Sequence, residues 1–279
     1  MKGSQKEIHK NYFIKNGSVL SVNKFSADDI TKTTSIYEVI RIIQGVPLFL
    51  EEHLDRLNQS FRLLNYNFYI DPKDLEKEIY RLVEVNQCYA YNIKVIVNNL
   101  ETPSPNIYLF FIASNYPHEE QYKKGVSAIL YTAERENPNA KVVLKDFRSR
   151  VDEKIKSANA FEAILVNQHQ QITEGSRSNI FLVKDSILYT APAEKVLKGV
   201  TRNRIIDLSK KIGLAVVEAP ITVDFLKECD GIFMTGTSPK VLPIALVDHL
   251  PYGSATNSTI VKIRSGYDDL IDDYIKKRS

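Results

Sequence analysis

Near the middle of the chain, Ile172-Thr173-Glu174-Gly175-Ser176-Arg177-Ser178-Asn179 runs directly into Ile180-Phe181-Leu182-Val183. The four apolar residues at the end predict a clean strand. The glycine and the small polar residues ahead of it predict a turn. Together they fix one carboxylate, Glu174, at a strand end, which suits a task that needs an immobile negative charge. Taken alone, Glu174 could equally be an ordinary turn glutamate. The chain has 279 residues, 43% of them hydrophobic. That is enough for one large core or two medium domains.

Several classes of function are excluded by what surrounds this run. A formal charge of +3, with its lysines scattered, does not describe a nucleic-acid surface. No apolar run reaches the length of about 18 residues that a membrane span requires. The stretch Met1-Lys2-Gly3-Ser4-Gln5-Lys6-Glu7 has no apolar segment behind it and does not read as a secretory signal. The expectation is a cytoplasmic protein. Cys88 and Cys229 are too few and too far apart for a disulfide framework or a thiolate metal site. His9, His53, His118, His169 and His249 show no metal-ligand spacing, and no metal is expected. There is no Gly-x-Ser-x-Gly elbow and no dinucleotide fingerprint.

Local patterns predict a mixed architecture. Asn16-Gly17, between Tyr12-Phe13-Ile14 and Val19-Leu20, predicts a hairpin. Ile36 to Ile43 reads as a strand ending at a Gln44-Gly45 turn. Leucines 50, 54, 57 and 64 with Phe61 have helical spacing. Asp71-Pro72 predicts a second helix start. Asn92 to Asn98 and Ile107 to Ala113 read as strands. The polar stretch from Ser114 to Gly125 is the best candidate for a linker. Beyond it, Val126 to Ala133, Ala163 to Asn167, Asn179 to Lys184 and Ile187 to Tyr189 read as strands; Arg202 to Ile212 and Ser258 to Lys276 read as helices. The expected organisation is α+β, with a smaller N-terminal α/β domain over 1–114, a linker over 115–125 and a larger C-terminal domain over 126–279.

Four further segments carry chemistry. Lys141 opens the extended apolar run Ala140-Lys141-Val142-Val143-Leu144; Lys145 is its rival, and an edge-strand lysine is the plain alternative. Arg56 lies in Glu52-His53-Leu54-Asp55-Arg56-Leu57, where a planar guanidinium could fork onto a phosphate or simply cover a helix surface. Leu197-Lys198-Gly199-Val200-Thr201-Arg202 stands just ahead of a helix, whose N-terminal amides and a threonine hydroxyl suit a phosphate, or a plain turn and cap. Phe233-Met234-Thr235-Gly236-Thr237-Ser238-Pro239 supplies a glycine and hydroxyls after a short strand.

In this order, these segments resemble the class IV aminotransferases, the fold-type-IV family that uses pyridoxal 5′-phosphate. The resemblance covers about Ile36 to Pro243, and the interval from Lys141 to Glu174 aligns without a gap to that of the aminodeoxychorismate lyase branch. It implies a C-terminal domain of β-barrel-like form with helices, carrying Lys141 as the Schiff-base lysine and proton shuttle. It implies Glu174 at the pyridine nitrogen, and Arg56, Val200, Thr201, Gly236 and Thr237 about the phosphate. Two half-reactions in ping-pong order and a homodimer are implied as well.

The substrate pocket is less uniform. Ile36-Tyr37-Glu38-Val39-Ile40-Arg41 looks most like the D-amino-acid aminotransferase group, whose tyrosine helps bind the substrate carboxylate. The arginine and histidine of that group are absent after the Asn92-to-Val97 strand, where Asn98, Asn99 and Leu100 stand instead. Arg177 and Lys240 are the candidate replacements, since a buried carboxylate demands a cation. Lys94 resembles the lyase branch, whose glycine- and arginine-rich loop is missing here. The expected reaction moves an amino group from an α-amino acid, D-alanine favoured, to an α-keto acid. The alternatives are a branched-chain L-amino-acid aminotransferase and an aminodeoxychorismate lyase. A non-catalytic relic would be expected to have lost Lys141 or Glu174, and both are present.

Overall fold

Asn16 and Gly17 adopt φ of 46° and 75°, making the tight turn that joins β1 (Tyr12–Lys15) to β2 (Ser18–Ser21). Gln44 and Gly45, at 53° and 81°, do the same between β3 (Ile36–Ile43) and β4 (Val46–Pro47). The computed structural model describes residues 7–135 and 137–278. Met1 to Lys6, most of the stretch read above as lacking a secretory signal, lie outside the described residues.

Helices α1 (Leu50–Leu63) and α2 (Pro72–Asn86) follow β4. The second begins as its sequence dictates, with Pro72 in the first turn and the Asp71 side chain accepting from the Lys73 amide at 2.8 Å. Strands β5 (Tyr91–Asn98) and β6 (Asn106–Ile112) then complete, with β1 to β4, an antiparallel six-stranded sheet of order β2-β1-β6-β5-β3-β4. Alternation along β3 sends Ile36, Ile40 and Ile42 into a core with Leu54, Leu57, Phe61, Ile79 and Leu82. Tyr37 joins a second, aromatic cluster with Phe13, Phe25, Tyr108 and Phe110.

The second sheet is mixed. Its path is β12-β11-β10-β14-β15-β7-β8-β9-β13, with β16 on β15. The strands are β7 (Val126–Thr132), β8 (Glu162–Val166), β9 (Gln171–Gly175), β10 (Asn179–Lys184), β11 (Ile187–Thr190), β12 (Val216–Glu218), β13 (Ile221–Thr222), β14 (Gly231–Gly236), β15 (Lys240–Val247) and β16 (Leu250–Pro251). Helices α3 (Glu119–Lys124), α4 (Lys145–Ser157), α5 (Val200–Lys211) and α6 (Ser258–Lys276) accompany them. The apolar run of the opening motif becomes β10, buried between β11 and β14. Phe181 stacks on Phe233 with centroids 5.1 Å apart.

The chain divides into two compact units. One holds the chain up to Asn115, Ala140–Val143 and the segment from Ile271 onward; the other holds Tyr116–Asn139 and Leu144–Leu270. The segment expected as a linker contains α3, which the second unit holds. The Tyr122 hydroxyl donates to the Pro239 carbonyl at 3.1 Å, and Arg264 donates to the Tyr122 carbonyl at 2.8 Å. Lys141, expected with the larger domain, groups with the first unit for a backbone reason. Val142 bridges Ile36, the Tyr37 amide donates to the Lys141 carbonyl at 3.0 Å, and the Val143 amide donates to Ser35 at 2.9 Å. Likewise the Leu50 amide donates to the Tyr274 hydroxyl at 3.1 Å. No described helix is long and apolar enough to cross a membrane.

Candidate active site

In the first unit, strand alternation separates two adjacent residues. Glu38 points to the α1 side of β3 and is fully buried, whereas Tyr37 lies on the aromatic side. His53 and Arg56, one helical turn apart on α1, both reach Glu38. Arg56 forks onto it, Nε to Oε1 at 2.7 Å and Nη2 to Oε2 at 2.8 Å, and His53 Nδ1 lies 3.0 Å from Oε2. Burial pushes the Glu38 carboxyl up, but the Arg56 guanidinium and the His53 ring overcome it and hold it well below the usual carboxylate range. Burial pulls the His53 ring down, with Arg56 and Lys141 adding to that and Glu38 opposing. Arg56 is therefore no surface arginine: its orientation is set by a buried ion pair.

Lys141 is clamped by its backbone, the amide donating to Ser60 Oγ on α1 at 3.3 Å and the carbonyl accepting from Tyr37. Its Nζ lies 4.9 Å from the centre of the Tyr37 ring. Lys94, on the neighbouring strand, places its Nζ 5.5 Å from the same ring and is ion-paired to Glu7. Two amines thus converge on one phenol ring. Lys145, the rival, is the first residue of α4 and belongs to the second unit.

In the second unit, Glu174 is buried near the end of β9. Its Oε1 accepts from Arg135 Nη1 at 3.0 Å and its Oε2 from the Leu197 amide at 3.1 Å. The β8–β9 ladder shifts register beside it: Ile164 pairs Gly175 and Val166 pairs Ile172, leaving Thr173 and Glu174 opposite the single Leu165. That is a β-bulge, a device that re-aims a side chain out of strict alternation. Leu197 is tied to the motif a second time, its carbonyl accepting from Asn179 Nδ2 at 2.9 Å.

Val200 and Thr201 form the first turn of α5, whose capping residue Gly199 offers no side-chain cap. A Cβ at Gly199 would lie 2.1 Å from Asn179 Oδ1, so any larger residue there would displace the Asn179 side chain of the motif. Arg202 fastens the helix by donating to Glu218 at 2.6 Å and to the Ala191 carbonyl at 2.9 Å. Gly236 sits where β14 ends; a Cβ there would lie 3.7 Å from the Arg177 carbonyl, and Thr235 pairs Asn179 across the sheet. The Gly236-Thr237 loop and the Glu174 turn are therefore neighbours. Thr235 Oγ is buried with no hydrogen-bond partner among the described residues. A buried orphan hydroxyl beside a glycine loop and an uncapped helix N-terminus fit an anion.

The two proposed substrate cations stand beside these segments, Arg177 in the turn after Glu174 and Lys240 opposite Gly236 across the β14–β15 ladder, and both are held in ion pairs. Arg177 is 56% exposed and paired to Asp152 at 2.6 Å; Lys240 pairs with Asp268 at 2.7 Å. Residues that reading the sequence missed are Glu38, His53 and Arg135, together with the Leu197 amide. His53 and Arg56 at helical spacing opposite a strand glutamate were a usable signal. Arg135, in an irregular segment, gave none. Among the described residues no group of three His, Cys, Asp or Glu could hold a metal.

The glutamate turn and the helix start beside it are set in a mixed α+β fold of the fold-type-IV aminotransferase architecture, as its likeness to solved structures shows. Residues 35–247 match the model of the family described as amino-transferase class IV, and the chain belongs to that family. The cofactor of this family is pyridoxal 5′-phosphate. A D-alanine aminotransferase from Bacillus licheniformis is 29% identical over 238 residues, 81% of this chain and 83% of its own. A branched-chain-amino-acid aminotransferase from Pseudomonas aeruginosa is 26% identical over 245 residues, 82% of this chain and 80% of its own. The crystal structure of the Escherichia coli branched-chain amino acid aminotransferase superposes with a TM-score of 0.85 at 23% identity, covering 94% of this chain and 95% of the other. That last likeness speaks to the fold.

Proposed function

We propose that this aminotransferase moves the amino group of a D-amino acid, D-alanine foremost, to an α-keto acid in two half-reactions. The observation that carries the reading is the Tyr37 ring with Lys141 Nζ at 4.9 Å and Lys94 Nζ at 5.5 Å, an amine for proton transfer beside a cation for a carboxylate. The Tyr37-Glu38-Val39 run and the D-alanine aminotransferase relative support the D preference. Branched-chain relatives of similar identity keep an L-amino-acid reading in play.

When bound, pyridoxal 5′-phosphate holds the substrate nitrogen and takes up the electrons released at Cα. The chain supplies everything else. Lys141 is the lysine that holds the cofactor and then carries the proton from Cα at Nζ. Glu174, with Arg135 as countercharge, holds a proton at the pyridine nitrogen. Arg56, the Val200 and Thr201 amides, Gly236 and Thr237 bind the phosphate. Tyr37 orients the substrate carboxylate, with Lys94 as its cation and Arg177 and Lys240 as the remaining candidates.

The deciding experiment is a single-turnover titration of the cofactor-loaded protein with D-alanine and, in parallel, L-leucine, following the absorbance of the bound cofactor. Bleaching by D-alanine that an α-keto acid restores is the expected result. Bleaching by L-leucine alone assigns a branched-chain enzyme. Silence toward both, with pyruvate released from aminodeoxychorismate without an acceptor, assigns a lyase.

A further inference from the structure

One buried carboxylate takes no part in this chemistry. Glu162 opens β8 and is only 3% exposed. Its Oε1 accepts from the Ala163 amide at 2.8 Å, the Ser176 amide at 3.0 Å and Ser176 Oγ at 2.6 Å; its Oε2 accepts from Ser178 Oγ at 2.8 Å. None of these donors is charged. A carboxylate removed from water without a countercharge is costly, so its neutral donors must be closely placed to keep it there. Three of the four come from Ser176 and Ser178, and they flank the position of Arg177 in the turn that follows Glu174.

That turn is wrapped around Glu162. A Cβ added at Gly175 would meet Glu162 Oε2 at 3.0 Å and Ser178 Oγ at 2.0 Å, so a side chain there would displace the Glu162–Ser178 contact. The Gly175 amide donates to the Ser178 carbonyl at 2.8 Å and closes the loop. On the other side of Gly175 lies the bulge, where two residues of β9 oppose one of β8. A bulge alone leaves its aim adjustable; a bulge whose next residues are pinned does not. Resting on the proposed role of Glu174, we infer that Glu162 is a positioning residue, fixing the reach of Glu174 by anchoring the turn through Ser176 and Ser178. This gives the two serines of the motif a role: they grip Glu162.

The test compares Glu162→Gln, nearly isosteric, with Ser178→Ala, which removes a donor from the other side. Both are examined as cofactor-loaded protein and, for amide hydrogen exchange over 175–179, without cofactor. Expected are a fall in kcat of about tenfold to 100-fold, the effect of a small misplacement, with KM for the amino acid little changed. A shift in the absorbance and circular dichroism of the bound cofactor and faster exchange at 176–178 should accompany it. Because Glu162 acts through Glu174, Glu162→Gln should cost less than about twofold on a Glu174→Gln background. Wild-type kcat and cofactor spectra in both variants would overturn the inference, as would a full effect persisting on the Glu174→Gln background. A wild-type protein that binds no cofactor would sink the aminotransferase reading. The exchange arm still decides then, since unchanged protection at 176–178 would refute the anchoring by itself.

Discussion

Glu38 and Glu174 are buried carboxylates, each paired with an arginine, yet the two units hold them differently. Glu38 is gripped by charge and ring: both its oxygens meet Arg56, and His53 adds to one. Arg135 donates to one oxygen of Glu174 and the Leu197 backbone amide to the other, and the residue sits on a bulge steadied by uncharged hydroxyls. The first arrangement fixes a cation, Arg56, at the expense of its partner's availability. The second presents the carboxylate itself. A fork that ties an acid to one arginine makes it scaffolding for that cation, whereas an acid held in part by a backbone amide at a strand bulge has its own position fixed instead.

The largest effect separates the units by chemistry rather than fold. Lys141→Ala should remove about 10⁴-fold or more of the activity, as expected for loss of the proton carrier, and borohydride should no longer fix the cofactor to the chain. Fixation that persists would transfer the role to Lys145, in the other unit. Next comes the fork. Arg56→Ala strands Glu38 without its countercharge and should cost ~3–5 kcal/mol in urea unfolding, while Arg56→Met with Glu38→Leu should recover most of it. A single variant with an unchanged midpoint would show that the fork does not hold the first unit. Glu174→Gln should act chiefly on the reaction, keeping the cofactor while slowing the half-reaction about 100-fold. Near-normal kinetics would erase the distinction between the two acids.

A subtler test uses pH. His53 titrates at an ordinary value of 6.5 when unfolded and lower when folded, so its contribution to stability is present above pH 6.5. As pH falls below 6.5, the unfolded chain takes a proton that the folded one refuses, and stability drops until the folded value is passed. Glu38 behaves likewise at a lower pH. Its stabilisation is complete above the ordinary 4.5 and is lost progressively below it. The melting temperature should therefore fall in two stages, and His53→Gln should remove the upper one. A profile that His53→Gln leaves unaltered would place that loss in another group.

Local patterns and motifs were legible where a few neighbouring residues decide the outcome. Asn16-Gly17, Asp71-Pro72 and the span of α6 follow from turn chemistry, capping and periodicity. Glu174 stood out because glycine and serines surround it. What the sequence could not show was which distant groups hold these residues. The pairing of Glu38 with Arg56 depends on β3 facing α1, and that of Arg135 with Glu174 joins residues far apart in the chain. The grouping of 140–143 with the first unit rests on backbone bonds to Ser35 and Tyr37, which side-chain patterns do not encode. A one-residue bulge is equally silent, because the mixed run Gln171-Ile172-Thr173-Glu174-Gly175 has no strict alternation that would fix its register.

The smallest effect tests the substrate cation, and it also turns on how firmly a charge is held. Arg177 and Asp152 are both about half exposed, so their pair contributes under about 1 kcal/mol and is weakened by salt. Lys94 is mostly buried, between Glu7 and the Tyr37 ring. A substrate carboxylate gains more from the desolvated cation than from one already facing water. Lys94→Met should therefore raise KM for the amino acid about tenfold, with Arg177→Ala and Lys240→Ala changing it by less than about twofold. If Arg177→Ala gives the larger rise, the carboxylate is bound by the Glu174 turn itself, and the second unit then supplies both the working acid and the substrate's cation.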